Sequence, residues 1–185
     1  SFLSSAPSVV KTYLFCGIRI CHSSVMSNRL IIFTRFPEPG KTKTRLIPHL
    51  GAEGAAQLQR DMTEHTARQA RKAGAQLEVR YTGGSMETMR DWLGADLFYA
   101  DQGEGDLGHR MQRAFEDHFS TGAERVVIVG SDCPSNDWRN IQNAFDSLEQ
   151  HDCVIGPAND GGYYLIGLCR AGASGSAALF EGIDW

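Results

Sequence analysis

The sequence lacks the features of several specialised classes of protein. Its 185 residues contain no internal repeat, no low-complexity tract and no apolar run long enough to cross a bilayer. The net charge is −4, so the chain has no strong positive field that would gather a polynucleotide. These absences exclude a repeat array, a helical membrane protein and a typical nucleic-acid-binding protein. We therefore expect neither a nucleic acid nor a membrane as a partner.

Cysteines are few, odd in number and scattered. No CxxC pair and no Cys/His set has the spacing of a zinc site, so we expect a reducing, cytoplasmic location. Cys133 follows an acidic residue at a predicted active-site turn, and it could be a nucleophile or a small residue packed under that turn. Packing is the favoured interpretation, because no histidine lies beside Cys133 in the sequence. The five cysteines are Cys16, Cys21, Cys133, Cys153 and Cys169.

The composition that remains is that of an ordinary globular protein, with 42% hydrophobic and 22% charged residues. Residues 1–25 differ from the rest, because Ser-rich ends surround an apolar stretch that makes a poor signal peptide. Met26 directly precedes the first convincing strand. We therefore predict an N-terminal extension over residues 1–25 and a single domain over residues 26–185. Within the extension, Val9 to Phe15 could add an edge strand.

From Met26 onward, short apolar runs alternate with helical patterns. Leu30–Phe33 and Val126–Val129 are rich in β-branched residues and predict strands buried on both faces, which is typical of a parallel sheet. Repeated β-α units imply an α/β fold with a mostly parallel sheet covered by helices, whose ligands bind at the carboxyl ends of the strands. The pattern also predicts strands over 77–81, 97–100, 154–155 and 163–168. It predicts four helices: one over 52–73, one that Ser85 caps and that ends at 93, one that begins at 107, and one over 138–148. The third helix should place Leu107, Met111, Ala114, Phe115 and Phe119 on one face. The fourth should place Trp138, Ile141, Phe145 and Leu148 on its inward face.

The loop after the first of these strands, residues 34–48, carries a cluster of positive charge. Its cations would repel one another unless they were solvated or matched to an anion, and phosphate oxygens would match them. Gly40 lets backbone N–H groups approach such a ligand closely. The sequence thus predicts a phosphate site here, with a solvated surface loop as the alternative. The cations are Arg35, Lys41, Lys43 and Arg45.

A P-loop is a second interpretation of the same segment. Gly40, Lys41 and Thr42 match part of that motif, and Asp132 could serve as its magnesium-binding acid. The match is partial, because Arg35 stands where a P-loop needs glycine and two prolines replace backbone donors. The P-loop is therefore the less favoured hypothesis.

The loop after the strongest strand contains Asp132, within Gly130–Pro134. Oxygen ligands suit Mg²⁺ or Mn²⁺, which can bridge phosphate oxygens and keep several waters. One well-placed carboxylate can therefore be the main protein ligand, and Asp132 is the candidate. The alternative is that an Asp or Ser in this loop caps the following helix.

A third loop, Asp160–Tyr164, contains Gly161, Gly162 and Tyr163. The two glycines leave room for a substrate against the backbone, so these residues are candidates for substrate binding. Asp160 could complete the metal site or act as a general base toward an attacking hydroxyl. The alternative is an ordinary hairpin turn that contains Gly and Asp.

A polar segment over residues 101–110 supplies two further candidates. Gln102 could read the edge of a base, and Arg110 could contact a phosphate. A plain loop followed by a helix start would explain the same residues.

Taken together, four motifs resemble a known family. They are FPEPGKTKTRL at 36–46, QG at 102–103 with DLGHRM at 106–111, GSDCP at 130–134 and GPANDGGYY at 156–164. In this combination the chain resembles the uncharacterised rSAM/selenodomain-associated transferase family (DUF2064-like). That family is related to 2-phospho-lactate guanylyltransferase and to the GT-A group of nucleotide-diphospho-sugar transferases. The resemblance covers residues 28–185.

The resemblance implies a three-layer, Rossmann-like GT-A fold with a nucleotide in the first loop and a metal carboxylate after a central strand. By that likeness, Lys41, Lys43 and Arg45 would bind phosphate, Gln102 and Arg110 the nucleotide, and Asp132 the metal. Family members usually continue past the position of Trp185, so we expect this chain to be shortened there. Residues 135–137 also depart from the family pattern, which would alter the cap of the next helix.

Three functional hypotheses follow. The first is a metal-dependent glycosyltransferase, in which an acceptor hydroxyl attacks the sugar of a nucleotide sugar and a diphosphate leaves. The second is a nucleotidyltransferase, in which a small phosphorylated substrate attacks a nucleoside triphosphate and pyrophosphate leaves. The third is a nucleotide-binding domain without catalysis. The sequence does not distinguish the donor nucleotide, the small-molecule acceptor or the oligomeric state.

Overall fold

The computed structural model describes residues 11–13, 28–159, 161–175 and 179–180. Within them, strands and helices follow the order that the apolar pattern predicts. Cys16, Cys21, Met26 and Asp160 lie outside these residues. The predicted boundary between residues 25 and 26 stays a prediction.

The strands form one seven-stranded sheet with the order β1-β6-β7-β5-β2-β3-β4. β2 pairs in parallel with β3 and β5, and β3 pairs in parallel with β4. β7 is antiparallel to β5 and to β6, so β6 also runs with the parallel strands and five of the seven point one way. This confirms the mostly parallel sheet. β1 lies antiparallel to β6 at the sheet edge, within the segment that could add such a strand. The strands are β1 Lys11–Tyr13, β2 Asn28–Arg35, β3 Gln76–Thr82, β4 Phe98–Asp101, β5 Arg125–Gly130, β6 Cys153–Pro157 and β7 Tyr163–Cys169.

Most of the predicted helix ends are confirmed. Ser85 caps α2 through a capping box with Thr88, and Gly74, at a φ of 69°, ends the 3-10 turn that follows α1. None of the helices in the described ranges has both the length and the apolar character needed to span a membrane. The helices are α1 Ile47–Ala70, α2 Met86–Leu93, α3 Leu107–Ser120 and α4 Trp138–Ser147, with 3-10 turns at Thr44–Leu46, Arg71–Ala73 and Gly172–Gly175.

Helix α1 begins earlier than predicted. Its first turn precedes Gly51, which has a φ of 71° and a ψ of 168° and kinks the helix. The long straight part therefore starts at residue 52, as the sequence pattern predicts. Pro48 in the first turn costs no hydrogen bond, because N–H groups there have no partner within a helix.

The core consists of two layers, one on each face of the sheet. Alternate residues of β2 point to opposite sides, so Leu30 and Ile32 pack with α1, α2 and α4, whereas Ile31 and Phe33 pack with α3. Helices thus cover both faces, and the three-layer α/β architecture is confirmed.

Two residues predicted to face the core do not. Leu107, the first residue of α3, is 45% exposed at the rim of the sheet. Trp138, the first residue of α4, is half-buried and lies under the guanidinium of Arg139 at 4.7 Å. Helical spacing gives the direction of a side chain but not whether a neighbouring layer extends far enough to cover the end of the helix.

Substituting Leu107 and Phe115 should therefore have different effects on stability. Phe115 is fully buried, and Phe115→Ala should lower the free energy of unfolding by about 3–5 kcal/mol through lost burial and the cavity left behind. Leu107→Ala should cost less than about 1 kcal/mol, because little is buried there. Urea unfolding followed by circular dichroism measures both values, and equal losses would place Leu107 in the core.

Candidate active site

A cleft of about 660 Å³ lies at the carboxyl ends of the central strands. Ligands of open α/β sheets bind at this edge, because the loops that follow neighbouring parallel strands converge there. Residues from all the predicted loops contribute to its walls. The lining comprises Phe33, Thr34, Arg35, Thr42, Lys43, Gln59, Thr82, Gln102, Leu107, Gly130, Ser131, Asp132, Cys133, Ala158, Gly162, Tyr163 and Tyr164.

An ion pair joins the first two predicted loops across this cleft. The Nζ atom of Lys43 donates to Oδ1 of Asp132 over 2.8 Å. The lysine side chain is only 12% exposed, whereas the Asp132 side chain is 72% exposed. A pair with one solvated partner is weakly stabilising, on the order of 1 kcal/mol or less. A ligand of higher charge can therefore replace either partner at small cost.

The backbone at Lys43 is held in an unusual conformation. With φ 44° and ψ 44° it lies in the left-handed region, alone among the non-glycine residues that the structure describes. For a residue with a Cβ this costs about 1–2 kcal/mol. Thr42, buried at 1% exposure, and the hydrogen bond from Leu46 N to the Lys43 carbonyl oxygen fix the turn. Such strain is often found where a side chain must point toward a ligand.

The floor of the cleft is a buried network of hydroxyl and amide groups. Thr34 at the end of β2 bonds to Thr63 of α1 over 2.8 Å and donates to Ser131 after β5 over 3.2 Å. The Nε2 atom of Gln59 lies 3.1–3.2 Å from the three hydroxyl oxygens. The network ties α1 to two strands and fixes Ser131 directly before Asp132.

The other three cations of the first loop differ in whether they line the cleft. Arg35 lines the cleft, while Lys41 and Arg45 do not. Lys41 pairs instead with Glu38 over 2.8 Å. Gly40 adopts a φ of 81° in the turn outside the cleft wall. Of the four cations, the structure therefore brings only Arg35 and Lys43 to the cleft wall, and their role in phosphate binding stays a prediction.

Gln102 occupies a structural position that the sequence does not reveal. Its Nε2 atom donates to the carbonyl oxygens of Thr34 and Arg80, both over 3.0 Å, and only 6% of the residue is exposed. The amide group thereby ties β2 to β3, and both N–H bonds are committed. Any contact of Gln102 with a base would have to use its amide oxygen.

Arg110 lies away from the lining of the cleft. Its Nε atom donates to the carbonyl oxygen of Gly105 over 2.8 Å, so its side chain fixes the loop before α3. The structure therefore does not bring Arg110 to the candidate phosphate site. The alternative interpretation, a loop and helix start, describes the observed contacts.

The third loop is both a hairpin turn and part of the cleft. β6 and β7 are antiparallel, and the turn is closed by hydrogen bonds from Ala158 N to Gly162 O and from Gly161 N to Ala158 O. Gly162 and Tyr163 line the cleft, whereas Gly161 is exposed outside it. The hairpin interpretation and the substrate-binding position are therefore compatible.

Much of the chain is similar to one known protein family. Residues 65–185 match the family described as "Uncharacterized protein conserved in bacteria (DUF2064)". The chain belongs to the DUF2064 family. No curated protein sequence matches this DUF2064 chain.

Solved structures share the fold of this chain. A protein from Desulfovibrio desulfuricans G20, described as a candidate nucleotide-diphospho-sugar transferase, is 36% identical over 86% of this chain and 70% of its own, with a TM-score of 0.80. Two more distant structures share the fold alone. The first is 4-diphosphocytidyl-2C-methyl-D-erythritol synthase from Anaerococcus prevotii DSM 20548, which is 9% identical over 87% of this chain and 78% of its own, with a TM-score of 0.57. The second is CMP:2-keto-3-deoxy-manno-octonic acid synthetase complexed with CTP, which is 10% identical over 85% of this chain and 80% of its own, with a TM-score of 0.52.

Asp132 of this DUF2064 protein is free of the capping role that the sequence left open. Asp137 caps α4 instead, by accepting from the backbone N–H groups of Arg139 and Asn140. Asp132 therefore projects into the cleft with Lys43 as its partner. Among the described residues no three His, Cys, Asp or Glu side chains group together. A divalent ion at this site would have Asp132 as its protein carboxylate and would take its other oxygen ligands from phosphates and water.

Cys133 lines the cleft rather than packing beneath the turn. Its Sγ atom lies 3.2 Å from the Ser135 hydroxyl, and the residue is partly exposed. The favoured interpretation of Cys133 as a packed residue is therefore wrong. The Ser135 hydroxyl is not a base that could deprotonate the thiol, so the geometry does not support Cys133 as a nucleophile.

Sequence reasoning missed the polar floor and Leu107. Gln59 and Thr63 are four residues apart on α1, so a polar pair on the otherwise Ala-rich buried face was a detectable signal. The sequence holds no signal that Leu107 lines the cleft, since a leucine at this position fits the inward face of a helix as well as it fits a cleft wall.

Gln102→Ala tests the structural position of that amide. The variant should lose about 2–3 kcal/mol of unfolding free energy, because two hydrogen bonds to buried carbonyl groups disappear. Gln142→Ala is the matched control, since it removes an exposed amide bonded to Asp146 within one helix. Urea unfolding of both variants measures the difference, and equal stabilities would show that Gln102 does not hold the strands together.

Proposed function

We propose that this protein is a metal-dependent transferase that uses a nucleotide-linked donor, and that it transfers a glycosyl group from a nucleotide sugar to a small-molecule hydroxyl. The observation that carries the proposal is the Lys43 to Asp132 pair in the cleft at the strand ends. A cation and a carboxylate side by side suit a ligand that combines phosphate with a divalent ion.

The charges in the cleft support a metal requirement. Lys43 and Arg35 attract a diphosphate, whereas Asp132 at 2.8 Å from the lysine would repel it. Mg²⁺ or Mn²⁺ held by Asp132 would remove this conflict and would stabilise the charge that develops on the leaving diphosphate. Lys43 would then exchange its carboxylate partner for a phosphate oxygen.

The other residues of the proposed site position Asp132 and accept the proton of the acceptor hydroxyl. The polar floor fixes Ser131, and thereby the turn that carries Asp132. In the proposed reaction the acceptor oxygen bonds to the anomeric carbon, the bond from that carbon to the phosphate oxygen breaks, and the nucleoside diphosphate leaves. Asp160, from the loop between β6 and β7, is proposed to accept the hydroxyl proton.

Nucleotidyl transfer is the second candidate. It is favoured by the two distant fold relatives, whose names describe a diphosphocytidyl synthase and a CMP synthetase complexed with CTP. The relation to 2-phospho-lactate guanylyltransferase, implied by the motifs, points the same way. Here a substrate phosphate would attack the α-phosphorus of a triphosphate and release pyrophosphate. Lys43, Arg35 and Asp132 would have the same roles in this reaction as in glycosyl transfer.

Product analysis separates these reactions. The protein is incubated with Mg²⁺ or Mn²⁺, nucleotide sugars or triphosphates, and candidate acceptors, and the released species are resolved by anion-exchange chromatography. Glycosyl transfer predicts a free nucleoside diphosphate, and nucleotidyl transfer predicts pyrophosphate. Metal-dependent binding with unchanged ligand would instead support a non-catalytic nucleotide-binding domain.

Asp132→Asn should abolish metal-dependent nucleotide binding, because an amide does not replace the charge of a carboxylate ligand. Asp91→Asn removes an equal charge from the exposed surface of α2 and should leave binding intact. Isothermal titration with a nucleoside diphosphate in Mg²⁺ measures both. An affinity of Asp132→Asn equal to that of the parent protein would refute the metal assignment.

Lys43→Ala should weaken binding of a nucleoside diphosphate by about 10- to 100-fold and leave binding of the bare nucleoside nearly unchanged. Arg45→Ala should act in the same direction but less strongly, because Arg45 is exposed and does not line the cleft, and Lys72→Ala, at an exposed lysine after α1, is the matched control. Titrations with the two ligands give the ratio of losses. Equal losses for nucleoside and diphosphate would remove the phosphate role.

A further inference from the structure

A second cavity of about 90 Å³ lies beside the cleft on the α3 side of the sheet. The two spaces are adjacent, because they share the lining residues Phe33, Leu107, Gly130, Tyr163 and Tyr164. The residues that line the smaller space only are Met111, Ile128, Leu165 and Ile166. We call this space the apolar annex.

The annex offers an apolar surface to whatever enters it. Phe33, Met111 and Ile128 belong to the core layer beneath α3. The hydroxyl of Tyr163 lies 3.8 Å from the sulfur of Met111, and burial raises the pKa of Tyr163 to about 12, so the ring stays neutral at physiological pH. A hydroxyl of the ligand would lose water on entering, whereas an alkyl group would gain from burial.

Gly130 in the wall of the annex leaves space where a larger side chain would stand. A Cβ atom built on Gly130 meets no other atom within 4 Å, and the glycine has no positive φ. Leu107 is 45% exposed at the opposite side of the opening. Gly130 ends β5 and lies two residues before Asp132, so a ligand held at Asp132 is close to the annex.

We propose that the annex binds a short alkyl group on the part of the substrate that lies beyond the phosphates. Lys43 and Gln59 lie on the α1 side of the cleft and the annex lies on the α3 side, so phosphate and alkyl group are separated in the same ligand. An apolar cavity of about 150 Å³ holds benzene, so the annex holds about three or four carbons at most. The inference rests on the proposed function and specifies its donor as a nucleotide-linked sugar with an apolar substituent, such as a 6-deoxysugar.

Xenon tests the annex without knowledge of the substrate. In protein labelled with ¹³C at the methionine methyl groups, xenon pressure should shift the Met111 signal in a saturable way. Gly130→Val places methyl groups in the open space and should abolish that shift, while Leu50→Ala, at an exposed leucine of α1, should retain it. Absence of a saturable shift, or an identical shift in Gly130→Val, would overturn the proposal.

Matched nucleotide sugars test whether the annex belongs to the substrate site. Glucose and 6-deoxyglucose linked to UDP or dTDP, and mannose and 6-deoxymannose linked to GDP, differ only in the hydroxyl at C6. In Mg²⁺ or Mn²⁺ the protein should bind the 6-deoxy member of its preferred pair about 10-fold more tightly. Gly130→Val should bring this ratio close to one, whatever its effect on overall affinity, and Leu50→Ala should preserve the ratio.

The outcomes separate the two proposals. Metal-dependent binding of a nucleoside diphosphate, with no 6-deoxy preference or with a preference that Gly130→Val leaves unchanged, would overturn the annex and leave the proposed function standing. Absence of metal-dependent binding for every nucleotide would overturn the proposed function, and the substrate assignment of the annex would fall with it.

Discussion

The parallel pairing of β2 with β3 and β5 is the constraint on which the site depends. It brings Thr34, the Gln102 amide and Ser131 to one edge of the sheet, although they are far apart in the sequence. The loops that carry Lys43 and Asp132 leave from the same edge and meet across the cleft. A shift of register in these strands would separate the charged groups and remove the carbonyl acceptors that hold Gln102.

The cleft has two chemically different sides. Lys43, Asp132 and the hydroxyl network form a polar side, in which the strained lysine backbone and the buried Gln59 amide fix the geometry. Phe33, Leu107 and Tyr163 form an apolar side that continues into the annex. Membership of the DUF2064 family and the shared transferase fold give this arrangement a lineage, while the proposed reaction rests on the charges in the cleft.

Much of the fold could be predicted from the sequence, because β-branched runs and helical spacing are local signals. The meeting of Lys43 and Asp132 in one cleft also follows, since loops after parallel strands share an edge. The contacts of Gln102, the exposure of Leu107 and the capping of α4 by Asp137 do not follow. The first two depend on which distant group lies opposite, whereas the Asp137 cap is a local contact that competes with the other polar residues before α4.

In the proposed site, phosphate and a divalent ion bind together between Lys43 and Asp132. The most direct measurement is the melting temperature of the protein with a panel of nucleoside diphosphates, triphosphates and nucleotide sugars, each with and without Mn²⁺. At a ligand concentration of about 100 Kd, the account predicts a rise of roughly 5–10 °C with one nucleotide and the metal together, and little with either alone. An equal rise without the metal, or no rise with any nucleotide in its presence, would show that phosphate and metal do not bind together there.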